Sequence, residues 1–193
     1  MRERKNVIVI KKAIKPVLLF FLKLFARMSY NKKYLQGKWF DSKIDGWLWC
    51  WRAFWDQKVK GYNRHVKFPV HPASVVGNPK NIEFHPDNID NFWKAGCYYQ
   101  CWNGRITIGK GTWIAQNVGI ITENHDPLNL EDHQEAKNVV IGENCWIGMN
   151  SVILPGVVLG DNTIVGAGAV VTHSFEEGNC IICGVPAKMV RKL

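Results

Sequence analysis

From Ile141 onward the aliphatic residues recur at every sixth position: Ile141, Ile147, Ile153, Leu159, Val165 and Val171. The residue after each is Gly142, Gly148, Leu154, Gly160, Gly166 and Thr172. The fourth position of each hexad is Asn144, Asn150, Gly156, Asn162, Gly168 and Ser174, and the fifth is small until Phe175. This is the pattern of a triangular prism. A short strand forms each flat side, and its aliphatic residue points inward. Gly or Asn turns each corner, because both tolerate left-handed backbone angles. The period of 3.6 that marks an amphipathic helix is absent. Six hexads in phase predict a parallel β-helix.

The same register holds upstream at Ile108, Ile114 and Ile120, with Gly109, Gly111 and Asn117 at corners. Ile108 and Ile141 are 33 residues apart, which is not a multiple of six, so an insertion lies between them. Residues 122–138 fit it, being polar, acidic and broken by Pro127. Loops thrown out from a regular scaffold are common seats of chemistry. Val70, Val76 and Ile82 keep the spacing more loosely, and residues 68–106 read as irregular first coils. The pattern divides the chain into an N-terminal helical region, 1–65, and a β-helix domain, 66–193, carrying the inserted loop 122–138.

The N-terminal third is different in kind. Lys12, Lys15, Lys23 and Arg27 fall on one side of a helix whose remainder is apolar, from Val17 to Phe25. An aromatic stretch follows, with Trp39, Phe40, Trp47, Trp49, Trp51, Phe54 and Trp55. Charge divides at the same place. Residues 1–67 carry 17 Lys/Arg against 4 Asp/Glu, and residues 68–193 carry 8 against 12. The formal net charge of +9 therefore belongs to the N-terminal third, where an anionic partner would dock.

The apolar run from Pro16 to Leu22 is too short for a spanning helix, which needs about 20 apolar residues, and no small-residue cleavage site follows it. Six scattered Cys suit reduced thiols in the cytosol. Cys97-x-x-x-Cys101 and Cys180-x-x-Cys183 could in principle make a four-thiolate zinc site. Isolated pairs are weak signals and Cys often fills cores, so no metal is expected.

The hexads, the loop Asn124-His125-Asp126, the segment Cys145-Trp146-Ile147-Gly148 and the ending Gly184-Val185-Pro186-Ala187-Lys188 resemble the hexapeptide-repeat acyltransferases. They are most similar to the O-acetyltransferases that act on maltose, galactosides, nodulation factors and surface polysaccharides. The resemblance covers residues 70–191. It implies a mainly β fold, a left-handed parallel β-helix, assembled as a homotrimer with acetyl-CoA as donor and active sites in the clefts between subunits.

His125 is the candidate general base. Acetyl transfer to a hydroxyl needs a group that removes the proton as the oxygen attacks the thioester, and imidazole suits that task near neutral pH. Asn124 and Asp126 flank it as further catalytic candidates, with Asn124 also suited to shaping the turn. An orienter on the other ring nitrogen could be Glu123, Asp126, Glu131, Glu135 or a backbone carbonyl. His133, in the same loop, reads as incidental. The resemblance points to an oxyanion-binding N–H near Gly148. For coenzyme A it points to Trp146, Gly148, Met149, Gly166, Ala167 and Thr172, with Pro186 near the adenine and Lys188 or Arg191 near phosphate. His173 stands where many relatives have Lys.

These features lead to an acetyl-CoA-dependent O-acetyltransferase of a sugar hydroxyl, in a cell-surface glycan or its precursor, in the cytoplasm. The alternatives are N-acetylation of an amino-sugar, acetylation of a small acceptor such as serine, and a catalytically inactive β-helix platform. Residues 12–55 read either as a peripheral contact with the cytoplasmic face of the inner membrane or as packing over the β-helix end or a neighbouring subunit. No nucleic-acid motif is present, so no nucleic acid is expected as a partner.

Overall fold

The computed structural model describes residues 2–193, and the side chains from Pro16 onward; Lys12 and Lys15 lie outside those side chains. Helix α1 spans Arg2–Ser29, α2 Lys38–Asp41 and α3 Asp45–Phe54, which continues as a π-helical turn over Trp55–Lys60. Fourteen short strands follow, and thirteen of them lie on three parallel faces of a prism.

The first face stacks β1 (Val75–Val76), β3 (Tyr98–Gln100), β6 (Gly119–Ile121), β9 (Val152–Ile153) and β12 (Val170–Val171). The second stacks β2 (Ile82–Phe84), β4 (Ile106–Ile108), β7 (Val139–Ile141) and β10 (Val158–Leu159). The third stacks β5 (Trp113–Ile114), β8 (Trp146–Ile147), β11 (Ile164–Val165) and β13 (Cys180–Cys183), and the antiparallel β14 (Lys188–Lys192) closes it. Ladder partners such as Ile108 with Ile141, and Ile114 with Ile147, step across the insertion without losing register.

Every hexad aliphatic from Ile108 to Val171 is buried. Removing one such side chain from water contributes roughly 1.5–3 kcal/mol. The corners follow the same logic. Asn117, Asn144, Asn150 and Asn162 adopt positive φ, as do Gly111, Gly156 and Gly168. Ser174, in the fourth position of the last hexad, does not share that conformation. The fifth-position polar residues are buried yet satisfied: Ser151 Oγ donates to the Gly148 carbonyl and Thr163 Oγ1 to that of Gly160, both at 2.7 Å.

The N-terminal helices sit on the open first coils. Tyr34 packs on Phe68 and Phe84, and Phe84 and Phe92 carry the aromatic contact inward to Tyr99. Trp39 Nε1 donates to the Asp87 carbonyl at 2.9 Å and to Asp90 Oδ1 at 3.2 Å. Gln57, fully buried, binds the parts together: it accepts from Tyr30 Oη and Val70 N, and donates to the Phe68 carbonyl. Residues 30–60 are thus a cap over the β-helix end.

Candidate active site

The insertion leaves the prism after β6 as an irregular hairpin. Lys137 N donates to the Thr122 carbonyl, Gln134 N to that of Asn124, and Asp126 N to that of Asp132. Its root is anchored by a buried polar cluster. Gln100 Oε1 accepts from the amides of Thr122 and Glu123, while its Nε2 donates to Glu123 Oε1 at 3.2 Å. Asn103 Nδ2 donates to the other carboxylate oxygen of Glu123 at 2.7 Å. Gln100 and Asn103 were not anticipated from the sequence; Tyr99 holds the inward position of β3, and no periodic signal marks Gln100, which follows it.

His125 is exposed, and its Nδ1 lies 2.7 Å from the Leu130 carbonyl oxygen. A carbonyl only accepts, so Nδ1 carries a proton, and in the neutral ring Nε2 keeps its lone pair. Among the orienters the sequence allowed, the backbone carbonyl is the one in contact. Asp126 instead caps the turn, its Oδ1 accepting from Leu128 N at 2.7 Å. Asn124 is exposed beside the base. His133, expected to be incidental, pairs with His125 across the hairpin, with ring centroids 4.3 Å apart.

The residues proposed for coenzyme A fall into two groups. Trp146 stands exposed on β8, in line with Trp113, Ile164, Ile181 and, through β14, Arg191. Around the adjoining corner lie Gly148, Met149, Gly166 and Ala167, the Met149 carbonyl accepting from Gly168 N at 2.9 Å. Trp113, Trp146 and Met149 share a cleft of ≈ 340 Å³ with Lys94. Two glycines here have packing reasons of their own. A Cβ on Gly148 would come within 2.6 Å of Ala167 N, and one on Gly166 would strike Cys183 Sγ. The Gly148 N–H is also committed, donating to the Val165 carbonyl at 2.8 Å. The oxyanion-binding N–H expected near Gly148 is therefore not that of Gly148 itself.

Thr172 lies elsewhere. It follows β12, on the edge of the first face from which the His125 loop also leaves, whereas Met149 and Ala167 lie at the corner preceding β9 and β12. His125 and the Trp146–Ala167 strip thus occupy opposite edges of one face of a single chain. Thr172 Oγ1 is 3.2 Å from His173 Nδ1, and the His173 ring packs on Phe175. Pro186 is exposed beyond β13, and Lys188 on β14 pairs with Cys183.

The cysteines are free, and all but Cys183 are buried. Cys97 Sγ donates to the Ala115 carbonyl and Cys101 Sγ to that of Asn78. Burial pushes the thiols of Cys97 and Cys145 above the ordinary range and that of Cys101 up to about 11. Among the described residues, no group of three or more His, Cys, Asp or Glu has the arrangement of a metal site.

Comparison with known proteins adds the following. The family model for bacterial transferase hexapeptides (six repeats) matches residues 138–173. The chain is 37% identical over 145 residues to WcaF of Escherichia coli (strain K12), named for acetyl transfer in colanic acid biosynthesis, covering 75% of this chain and 76% of WcaF. It is 50% identical over 91 residues to a Dictyostelium discoideum protein named as an acetyltransferase, covering 46% of this chain and 47% of that one. A hexapeptide-repeat-containing acetyltransferase of Vibrio cholerae O1 biovar eltor, solved with acetyl coenzyme A, superposes with a TM-score of 0.53 at 26% identity, covering 62% of this chain and 68% of that one. The chain spans about half the length of the first curated relatives it matches.

Proposed function

The chain belongs to the hexapeptide-repeat acetyltransferases, and from that premise we propose that it transfers the acetyl group of acetyl-CoA to a sugar hydroxyl. The observation that carries this reading is His125, whose Nδ1–H is held by the Leu130 carbonyl so that Nε2 is free to act as base. In the proposed step Nε2 takes the acceptor hydroxyl proton as the oxygen attacks the thioester carbonyl. The tetrahedral intermediate collapses, the C–S bond breaks, and the proton passes from the imidazolium to the departing thiolate of coenzyme A.

The donor strip is Trp146, Gly148, Met149, Gly166 and Ala167, with Pro186, Lys188 and Arg191 toward the nucleotide end. Thr172 stands on the opposite edge of the first face, the edge from which the His125 loop leaves. Because one chain holds His125 and the strip apart, the reading requires a neighbouring copy to bring them together, and a homotrimer of left-handed β-helices, as the family resemblance implies, meets that need. The acceptor is proposed to be a cell-surface glycan or its precursor, in keeping with the name of WcaF, and the protein is placed in the cytoplasm, where acetyl-CoA is made available.

The test measures coenzyme A release from acetyl-CoA against a panel of sugars, amino-sugars and serine. Transfer to a sugar hydroxyl, abolished by His125→Ala with acetyl-CoA binding and subunit assembly kept, is the expected result. Turnover retained by His125→Ala, or transfer only to amines or serine, would overturn it.

A further inference from the structure

Helix α1 buries a narrow strip, Leu22 and Ala26, and packs on α3. Among the described residues, Leu19 and Phe25 are partly covered, and the rest of its apolar surface is exposed. Phe21 is 60% exposed and Met28 81%, while α3 and its continuation add Trp51 at 41% and Trp55 at 47%. These residues are continuous with one another. Phe25 meets Trp51 with ring centroids 5.0 Å apart, and Trp51 meets Trp55 at 5.6 Å. Leu18, Phe21, Leu24, Phe25, Met28 and Trp51 line an open groove of ≈ 600 Å³. Soluble surfaces seldom leave so large a contiguous apolar patch without a partner.

The surrounding charge selects the partner. The patch lies in the third of the sequence that holds 17 Lys/Arg against 4 Asp/Glu, and Arg27 and Arg52 are exposed on the two helices that form it. A second copy seated patch to patch would bring these two cationic regions together, against their repulsion. Among the described residues, no helix is long and apolar enough to cross a membrane. An apolar face with Trp at its border and cations around it matches the layered chemistry of a bilayer surface, in which acyl chains lie beneath phosphates.

We propose that this patch docks on an anionic phospholipid surface, with Phe21, Met28, Trp51 and Trp55 entering the headgroup layer and Arg27 and Arg52 meeting its phosphates. The docking rests on the acetyltransferase reading in one respect, the purpose it would serve: bringing the enzyme to a lipid-linked glycan precursor at the cytoplasmic membrane face.

The full chain is sedimented with vesicles of phosphatidylcholine alone, or mixed with phosphatidylglycerol, at low and high salt. Binding is expected only with phosphatidylglycerol and should weaken as salt is raised. Phe21→Glu/Trp51→Glu should lower the bound fraction by more than about tenfold, leaving particle size and transfer to a soluble sugar unchanged. Arg27→Glu/Arg52→Glu, which alters no apolar contact, should also abolish the phosphatidylglycerol preference. Three results would overturn the proposal: no binding to phosphatidylglycerol vesicles, undiminished binding by both double variants, or a change of oligomeric state in Phe21→Glu/Trp51→Glu, which would make the patch an interface between copies. Vesicle binding by a chain that transfers acetyl to no sugar would remove the enzymatic reading and leave the lipid surface standing.

Discussion

The imidazole of His125 and the backbone carbonyl of Leu130 are joined at 2.7 Å across the turn of the inserted hairpin. That bond fixes both the tautomer and the direction of Nε2, and it does so without a second charged side chain. The asparagine side chain can reproduce an Nδ1-like donor but supplies no base. His125→Asn should therefore keep the hairpin closed and lose turnover by roughly a hundred- to ten-thousand-fold, the usual contribution of a general base. Protection of the loop amides in hydrogen exchange and kcat, measured together, check the two halves of this expectation. A variant with an open loop would show that the histidine ring, rather than the hydrogen bond, holds the turn.

His133 lies against the base, with ring centroids 4.3 Å apart. It accepts no proton in the proposed step, so its role is to position His125. His133→Ala should lower kcat by about tenfold, since small misplacements of a reacting group cost one or two orders of magnitude. His133→Phe, which keeps a ring in the same place, should restore most of the loss. Equal damage in both variants would point to a chemical role for the second imidazole.

Gln100 holds the root of the loop, accepting from the amides of Thr122 and Glu123 and donating to the buried Glu123 carboxylate. Gln100→Leu removes all of these partners and leaves buried donors and a carboxylate oxygen short. The cost should be about 1–3 kcal/mol of stability, seen as a lower melting temperature. The loop leaves from this point, so kcat should fall more than affinity for acetyl-CoA.

The prism was legible in the sequence because its physics is periodic. Each inward aliphatic from Ile108 to Val171 occupies a position that the spacing of six assigns, and the buried side chains agree. The break in phase located the loop for the same reason. What the pattern could not carry were relations made by the hairpin's own folding. The contact of His125 with Leu130 depends on the path of the turn, and a backbone carbonyl has no sequence signal. His133 read as incidental because it lacks the Asn-His-Asp context, and its partner is eight residues away in a segment without periodicity.

Buried thiols should be chemically silent. Burial raises the thiols of Cys97, Cys101 and Cys145, the second to about 11, so few thiolates exist at neutral pH and reagent access is poor. Cys183 is half-buried and should be alkylated first by iodoacetamide in the native protein. The other five should react together only on unfolding, as followed by mass spectrometry. Early modification of Cys97 or Cys101 would show that the first coils open independently of the rest.

The separation of the base from the donor strip gives the sharpest test of assembly. His125 leaves one edge of the first face, and Met149 and Ala167 occupy the other. If the working site joins the base of one copy to the strip of its neighbour, two differently damaged chains can repair one another. Ala167 is exposed, so Ala167→Glu should leave the fold intact while obstructing the thioester arm and repelling the donor's phosphates. Neither His125→Ala nor Ala167→Glu should be active alone. Co-refolded in equal amounts, they should recover about one quarter of wild-type activity, because random assortment around a ring creates that share of interfaces with both halves intact. Activity that stays at zero after mixed oligomers are verified by mass would mean that base and strip act from a single chain.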